Sequence, residues 1–241
     1  MTAAPDERRE QKIQELCELY RLAPQLAAAG ERVRSTDEMT GVQALERAAP
    51  ELPLLPGKVE RREFEYIRHG TRTCTINFDV VTGQVVAPTC GPTRTEADFV
   101  AHLHATVATD PPAVKWHVVT DNLNTHCSES LVRYVAAASR LQQDPGVKGK
   151  HGILASMASR AAFLNDRSHH IVFHYTYTPQ HASWLNQVAS WLSILVRKLL
   201  RRGSFRSVAD LQAQVLAFIA YFNQTMAKPF KWTYTGRPLT V

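Results

Sequence analysis

A change of period part-way along the chain constrains the fold more than any other feature. Segments 64–68, 73–81 and 85–89 are rich in β-branched and aromatic residues, and Thr82-Gly83-Gln84 is a turn joining the last two. From Thr95-Glu96 the spacing becomes helical, with Phe99, Leu103 and Val107 on one face of a helix reaching about Ala108. Short apolar strands at 116–119 and 171–175 then alternate with helices at 128–139, 184–200 and 208–223. Upstream, 10–28 reads as a helix ending at Gly30, and 32–36 is a short extended run leading to Asp37. A connector with Pro50, Pro53 and Pro56 follows. A meander followed by alternating helices and strands predicts an α/β fold, a mixed sheet flanked by helices. In open sheets of this kind chemistry collects at the carboxyl ends of strands. Asp37 and Asp121 both fall at such ends.

Several classes are disfavoured at once. Residues 1–15 are charged and lack the apolar stretch of a secretory signal, and no apolar run approaches the ~20 residues of a membrane span. The four cysteines, Cys17, Cys74, Cys90 and Cys127, form no C-x-x-C pair. The expectation is reduced thiols in a cytoplasmic protein, with no zinc knuckle. A formal net charge of +6 is compatible with phosphate backbones but does not select them.

An aspartate at the end of a buried strand projects into the crevice between neighbouring strands. Two of them make a site for hard divalent cations, since Mg²⁺ and Mn²⁺ prefer carboxylate oxygens. The plainer alternative is that Asp37 closes the turn-like cluster Ser35-Thr36-Asp37-Glu38 and that Asp121-Asn122 opens a loop.

Local context separates these readings. The stretches Ser35-Thr36-Asp37-Glu38-Met39-Thr40-Gly41-Val42-Gln43-Ala44-Leu45, Val119-Thr120-Asp121-Asn122-Leu123-Asn124-Thr125-His126 and Thr178-Pro179-Gln180-His181-Ala182-Ser183-Trp184-Leu185-Asn186-Gln187 occur in this order. They resemble the signatures of bacterial insertion-sequence transposases related to mariner elements, within the DDE transposase and integrase superfamily. Further similarity lies from Ala87-Pro88-Thr89 onward, in Arg201-Arg202-Gly203-Ser204-Phe205 and in Lys228-Pro229-Phe230-Lys231-Trp232-Thr233-Tyr234. The resemblance runs from about Gly30 to Leu239. It implies a ribonuclease H-like catalytic domain over 31–241, behind an N-terminal helical extension over 1–30.

By that resemblance Asp37 and Asp121 are the first two metal-binding carboxylates, for Mg²⁺ or Mn²⁺. The third acid should follow the Asn-Gln pair by two residues, and there the chain has Ala189. No Asp or Glu occurs between Asp166 and Asp210. Gln187 offers at most an uncharged carbonyl, and Glu38 or Glu129 are the candidate substitute ligands. The expectation is a domain for transposon-end cleavage and strand transfer that is inactive or severely impaired. The alternative is a non-catalytic DNA-binding protein that interferes with or assists a full-length transposase. Natural decay and a deliberate replacement to trap a DNA complex account equally for Ala189.

The implied partners are double-stranded DNA, both transposon ends and target, with a homodimer as one assembly and a nucleoid-associated location. Asp121 and position 189 are 68 residues apart, longer than usual in mariner-type relatives. The extra length falls in 142–168, read as an insertion loop carrying Lys148, Lys150, Arg160 and Arg167. Lys148, Lys150, Arg197, Lys198, Arg201 and Arg202 are the candidate DNA contacts. For the last four, favourable placement at a helix C-terminus is the competing account. About thirty residues precede the catalytic region, too few for a helix-turn-helix module. End recognition is therefore expected from a separate helix-turn-helix subunit or a missing segment. Trp184, Trp191 and Leu192 read as core, with base stacking a secondary role for Trp184. His126 and His181 flank the site, as orienting groups or structural histidines. His102 and His104 lie two apart on a helix and make a poor metal pair.

Overall fold

The computed structural model describes residues 7–50, 52–53, 55–61, 63–176 and 185–234. Five strands form one sheet in the order β3-β2-β1-β4-β5. They are β1 (Glu31–Arg47), β2 (Tyr66–Asp79), β3 (Val85–Gly91), β4 (Lys115–Asp121) and β5 (Ile171–Thr176). The first three form an antiparallel meander, while β4 and β5 run parallel to β1. The helices are α1 (Glu7–Ala28), α2 (Glu96–Val107), α3 (Glu129–Ala138), α4 (Met157–Leu164), α5 (Gln187–Leu195) and α6 (Val208–Thr225). This is the expected ribonuclease H-like mixed sheet flanked by helices.

Strand alternation sorts the helices onto two faces. Trp116 and Val118 of β4, with Ile171 and Phe173 of β5, pack against α2, α3 and α4. Val33 of β1 and Val119 of β4 point the other way, toward Leu16, Tyr20 and Ala23 of α1. On that same face Ile76 and Phe78 of β2 meet Trp191 of α5 and Leu211, Val215 and Phe222 of α6. Helix α1 shares a core cluster with β1, β4 and Leu185.

Local signals set most helix ends. Thr95 caps α2 in a reciprocal capping box with Asp98, and Ser128 and Ser207 cap α3 and α6 through their hydroxyls. The strands depart more from expectation. β1 continues through Asp37 to Arg47, so Asp37 lies inside the strand and not just beyond it. The runs expected at 64–68 and 73–81 merge into one strand, because the polar residues between them pair with the far half of β1: Thr71 with Gln43, Arg72 with Val42. In that two-stranded ribbon Val42 and Ala44 of β1 are buried in the core, while 66–72 of β2 stay exposed or partly exposed.

One further expectation is corrected. Cys74 and Cys90 are directly paired across β2 and β3 and joined as a disulfide, leaving Cys17 and Cys127 as free thiols. Segment 142–168 holds a 3-10 turn (Ile153–Ala155) and α4, and its Leu154 and Leu164 are fully buried in the core.

Gly83 gives a sharp test of the turn between β2 and β3. Its φ of +73° disfavours any L side chain, and a Cβ would lie 2.1 Å from the Lys228 carbonyl group. Gly83→Ala should therefore destabilise the protein by more than about 1 kcal/mol. A chemical-denaturation midpoint equal to the native one would show that the tail does not press on this turn.

Candidate active site

The parallel ladder places the two aspartates. β1 and β4 pair from Glu31↔Lys115 to Ser35↔Val119, and β1 then leaves β4. Extending that register by two positions sets Asp37 beside Asp121, the last residue of β4. Residues two apart on a strand share a face, so both follow Ser35 and Val119 onto the side that carries α1 and α5. The proximity is visible in their acidities. Burial first, then the charge of Asp121, pushes Asp37 up to about 6, against a hydrogen bond from Glu38 N. Asp121 is held low despite burial, by a hydrogen bond and charge from His126, by Leu123 N and by Arg94.

The approach of α5 is fixed by hydrogen bonds to the same stretch of β1. The Ser35 hydroxyl donates to Asn186 Oδ1 and accepts from Val188 N at 2.8 Å. Asn186 Nδ2 donates to the Thr36 carbonyl at 3.1 Å, and Tyr20 Oη donates to the Leu185 carbonyl at 2.8 Å. The bonds to Ser35 and Thr36 hold Asn186 and Val188 against the two residues preceding Asp37, and Tyr20 of α1 holds Leu185. Ala189 follows in the first turn of α5, partly exposed. A methyl group therefore stands where the resemblance places an acid.

The substitutes considered from sequence do not join the pair. Glu38 points to the opposite face of β1, where both of its oxygens meet His126. Glu129 is bonded to Arg133 one turn along α3. Gln187 is buried beside a cleft lined by Tyr20, Val80 and Trp232, and its amide has no partner among the described residues. Among the described residues no group of three or more His, Cys, Asp or Glu side chains is placed to hold a metal ion. What favours a cation is the charge of Asp121 near the buried Asp37, which a hard divalent ion would offset.

The structure disperses the other candidates. Lys148 pairs with Glu96 at 3.2 Å, Arg160 donates to the Cys127 carbonyl at 2.6 Å, Arg167 approaches Glu15, and Lys150 is exposed. Arg197, Lys198, Arg201 and Arg202 are all exposed on or just after a π turn (Val196–Leu200) that continues α5. Trp191 is fully buried, with Leu192 packed partly against the same core. His181 and Trp184 lie outside the described residues. His102 faces the sheet, where Thr89 meets its Nδ1, while His104 packs on Tyr134.

The buried histidines predict how stability depends on pH. Burial first, then nearby positive charge, lowers His102 to about 4 and His174 to about 3. Below the ordinary value of 6.5 the unfolded chain takes up protons that these two refuse, so stability falls with pH. Asp37, raised to about 6, opposes this with one proton against two. His126 acts in the opposite direction. Burial would lower it, but hydrogen bonds to Asp121 and Glu38 and their charges outweigh that and hold it at about 9. Its contribution is complete below 6.5 and is lost as pH rises through 9. Stability should peak near pH 6.5, and denaturant midpoints measured at about pH 5, 6.5 and 9 check this. A midpoint higher at either end would contradict the assignment.

Asp37, inside β1 just past its last pair with β4, and Asp121, the last residue of β4, thus lie at the end of the parallel part of the sheet. The chain belongs to the DDE superfamily endonuclease family, whose model matches residues 32–212 and so spans both aspartates and position 189. Among solved structures it is similar to the protein of a pre-cleavage Mos1 transpososome, at 14% identity and a TM-score of 0.45. That match covers 90% of this chain and 56% of the other, so the chain spans little more than half of that protein's length. It is also similar to the catalytic domain of Mos1 mariner transposase, at 12% identity and a TM-score of 0.45, over 91% of this chain and 85% of that one. No curated protein matches it in sequence. Among the described residues no helix is long and apolar enough to cross a membrane.

Proposed function

We propose that this chain is the catalytic domain of a DNA transposase of the mariner-related insertion-sequence type, impaired in strand cleavage by the loss of its third acid. The observation that carries the proposal is the parallel register ending at Ser35↔Val119, two residues before Asp37 and Asp121, beside the pinned start of α5 and within a stretch matched by the DDE endonuclease family. Asp37 and Asp121 would hold Mg²⁺ or Mn²⁺. Such an ion activates a water or a 3′-hydroxyl and stabilises the leaving oxygen in phosphodiester transfer. With a methyl group at 189, one anionic ligand is lost and the cation is less well fixed.

The chain's own contribution is then to hold the acid pair and to bring duplex DNA to it. The exposed cations of the π turn, Arg197, Lys198, Arg201 and Arg202, together with Lys150 and Lys148, are the proposed contacts to the phosphate backbone. That surface also supports the second reading, a non-catalytic DNA-binding protein acting on a full-length transposase. A separate helix-turn-helix subunit, a homodimer and a nucleoid-associated location belong to the same proposal.

The deciding assay is cleavage of labelled transposon-end DNA in Mg²⁺ and in Mn²⁺, with any companion subunit added. The native chain should bind the DNA without cutting it. Cutting by the native chain that Asp121→Ala abolishes would refute the claim of impairment.

A further inference from the structure

His126 is fully buried, and both of its ring nitrogens face carboxylates. Nδ1 lies 2.7 Å from Asp121 Oδ1, and Nε2 lies 2.9 and 3.0 Å from the two oxygens of Glu38. Nδ1 also lies 3.2 Å from the Asp121 carbonyl oxygen, so the ring is held between Glu38 on one side and Asp121 on the other. The ring has little freedom to turn. Phe99 packs on it with centroids 4.3 Å apart, Thr120 Oγ1 lies 2.9 Å from Nδ1, and Tyr175 Oη donates to the His126 carbonyl at 2.9 Å. The Glu38 side chain behind it is only 5% exposed. Asp121 Oδ1 also accepts from Leu123 N at 3.2 Å, so that oxygen is committed inward and Oδ2 is the one left for other partners.

We infer that His126, held from behind by Glu38, is a positioning residue that fixes the Asp121 carboxylate with Oδ2 toward the face it shares with Asp37. Glu38 then acts through His126 and is not a replacement ligand. The inference rests on the reading of Asp37 and Asp121 as a divalent-cation pair. Partners that orient a metal ligand from outside typically contribute ten- to a hundredfold to metal affinity. Replacing both Glu38 and His126 with glutamine removes the two side chains that hold Asp121 from behind.

The test uses Mn²⁺ alone, titrated into the full chain and followed by the electron paramagnetic resonance signal of the free ion. The Glu38→Gln/His126→Gln double variant should bind Mn²⁺ about tenfold more weakly than the native chain, while melting remains cooperative. A folded double variant that binds within about twofold of native would overturn the positioning role. Glu38→Gln is then compared in the native chain and in a His126→Gln background. Loss in the first alone supports action through His126, and equal loss in both makes Glu38 a ligand in its own right and overturns the inference. Should His126→Gln not fold, His126→Asn serves as the background for the same comparison, and unchanged Mn²⁺ binding by Glu38→Gln alone overturns the inference. Asp121→Asn tests the underlying site. If it binds Mn²⁺ as the native chain does, or if neither binds, the cation-pair reading fails and this inference falls with it.

Discussion

Replacing Ala189 with Glu is expected to raise metal-dependent cleavage of transposon-end DNA by at least about a hundredfold, the scale at which ~1 Å of misplacement at a reacting centre acts. The geometry needed for that gain is already present. Residues 186 and 188 are hydrogen-bonded to Ser35 and Thr36, so position 189 is held close to Asp37 without any rearrangement of α5. Ala189 is partly exposed, which leaves room for a longer side chain. A third carboxylate would add negative charge beside Asp37, which burial and then the charge of Asp121 already raise to about 6, so the variant should melt below the native chain without metal. A cation that binds only the folded state stabilises it by mass action, so Mn²⁺ should raise its melting temperature more than that of the native chain. If both proteins cut equally and Asp121→Ala stops both, another group completes the site. If neither cuts while both bind DNA, the non-catalytic reading is the better one.

The second large effect concerns the attachment of α5. Asn186 is buried and connects the first turn of α5 to β1. Asn186→Ala leaves the Ser35 hydroxyl without its acceptor and removes the donor to the Thr36 carbonyl, at a cost of about 2–3 kcal/mol for unsatisfied buried groups. In a chain of this size that corresponds to a melting temperature lower by roughly 4–12 °C. In the Ala189→Glu background it should also reverse most of the cleavage gained, by about a hundredfold, because the helix that carries the acid is no longer held in register. Melting within about 1 °C of native would show that α5 is held mainly by Trp191 and Leu195 in the core.

Sequence by itself determined the features that depend on neighbouring residues. The caps at Thr95, Ser128 and Ser207 and the apolar runs of β4 and β5 are local signals, and the helices and strands appear close to where those signals put them. Asp121 could be placed because a buried strand ends on it, and Ala189 could be singled out because an ordered motif surrounds it. Tertiary structure decided whatever depends on partners far along the chain. Residues 38–47 become strand by pairing with 66–75 of β2, although only Val42 and Ala44 among them are buried. Cys74 and Cys90, sixteen residues apart, become a disulfide because antiparallel register sets them opposite. Segment 142–168 becomes part of the core because Leu154 and Leu164 find apolar neighbours on β4, β5 and α3. Glu38 and His126 are 88 residues apart, and in sequence Glu38 was as good a candidate ligand as any acid nearby. Only the fold separates it from Asp37, because consecutive residues on a strand face opposite ways and a buried histidine on the far face needs a counter-charge.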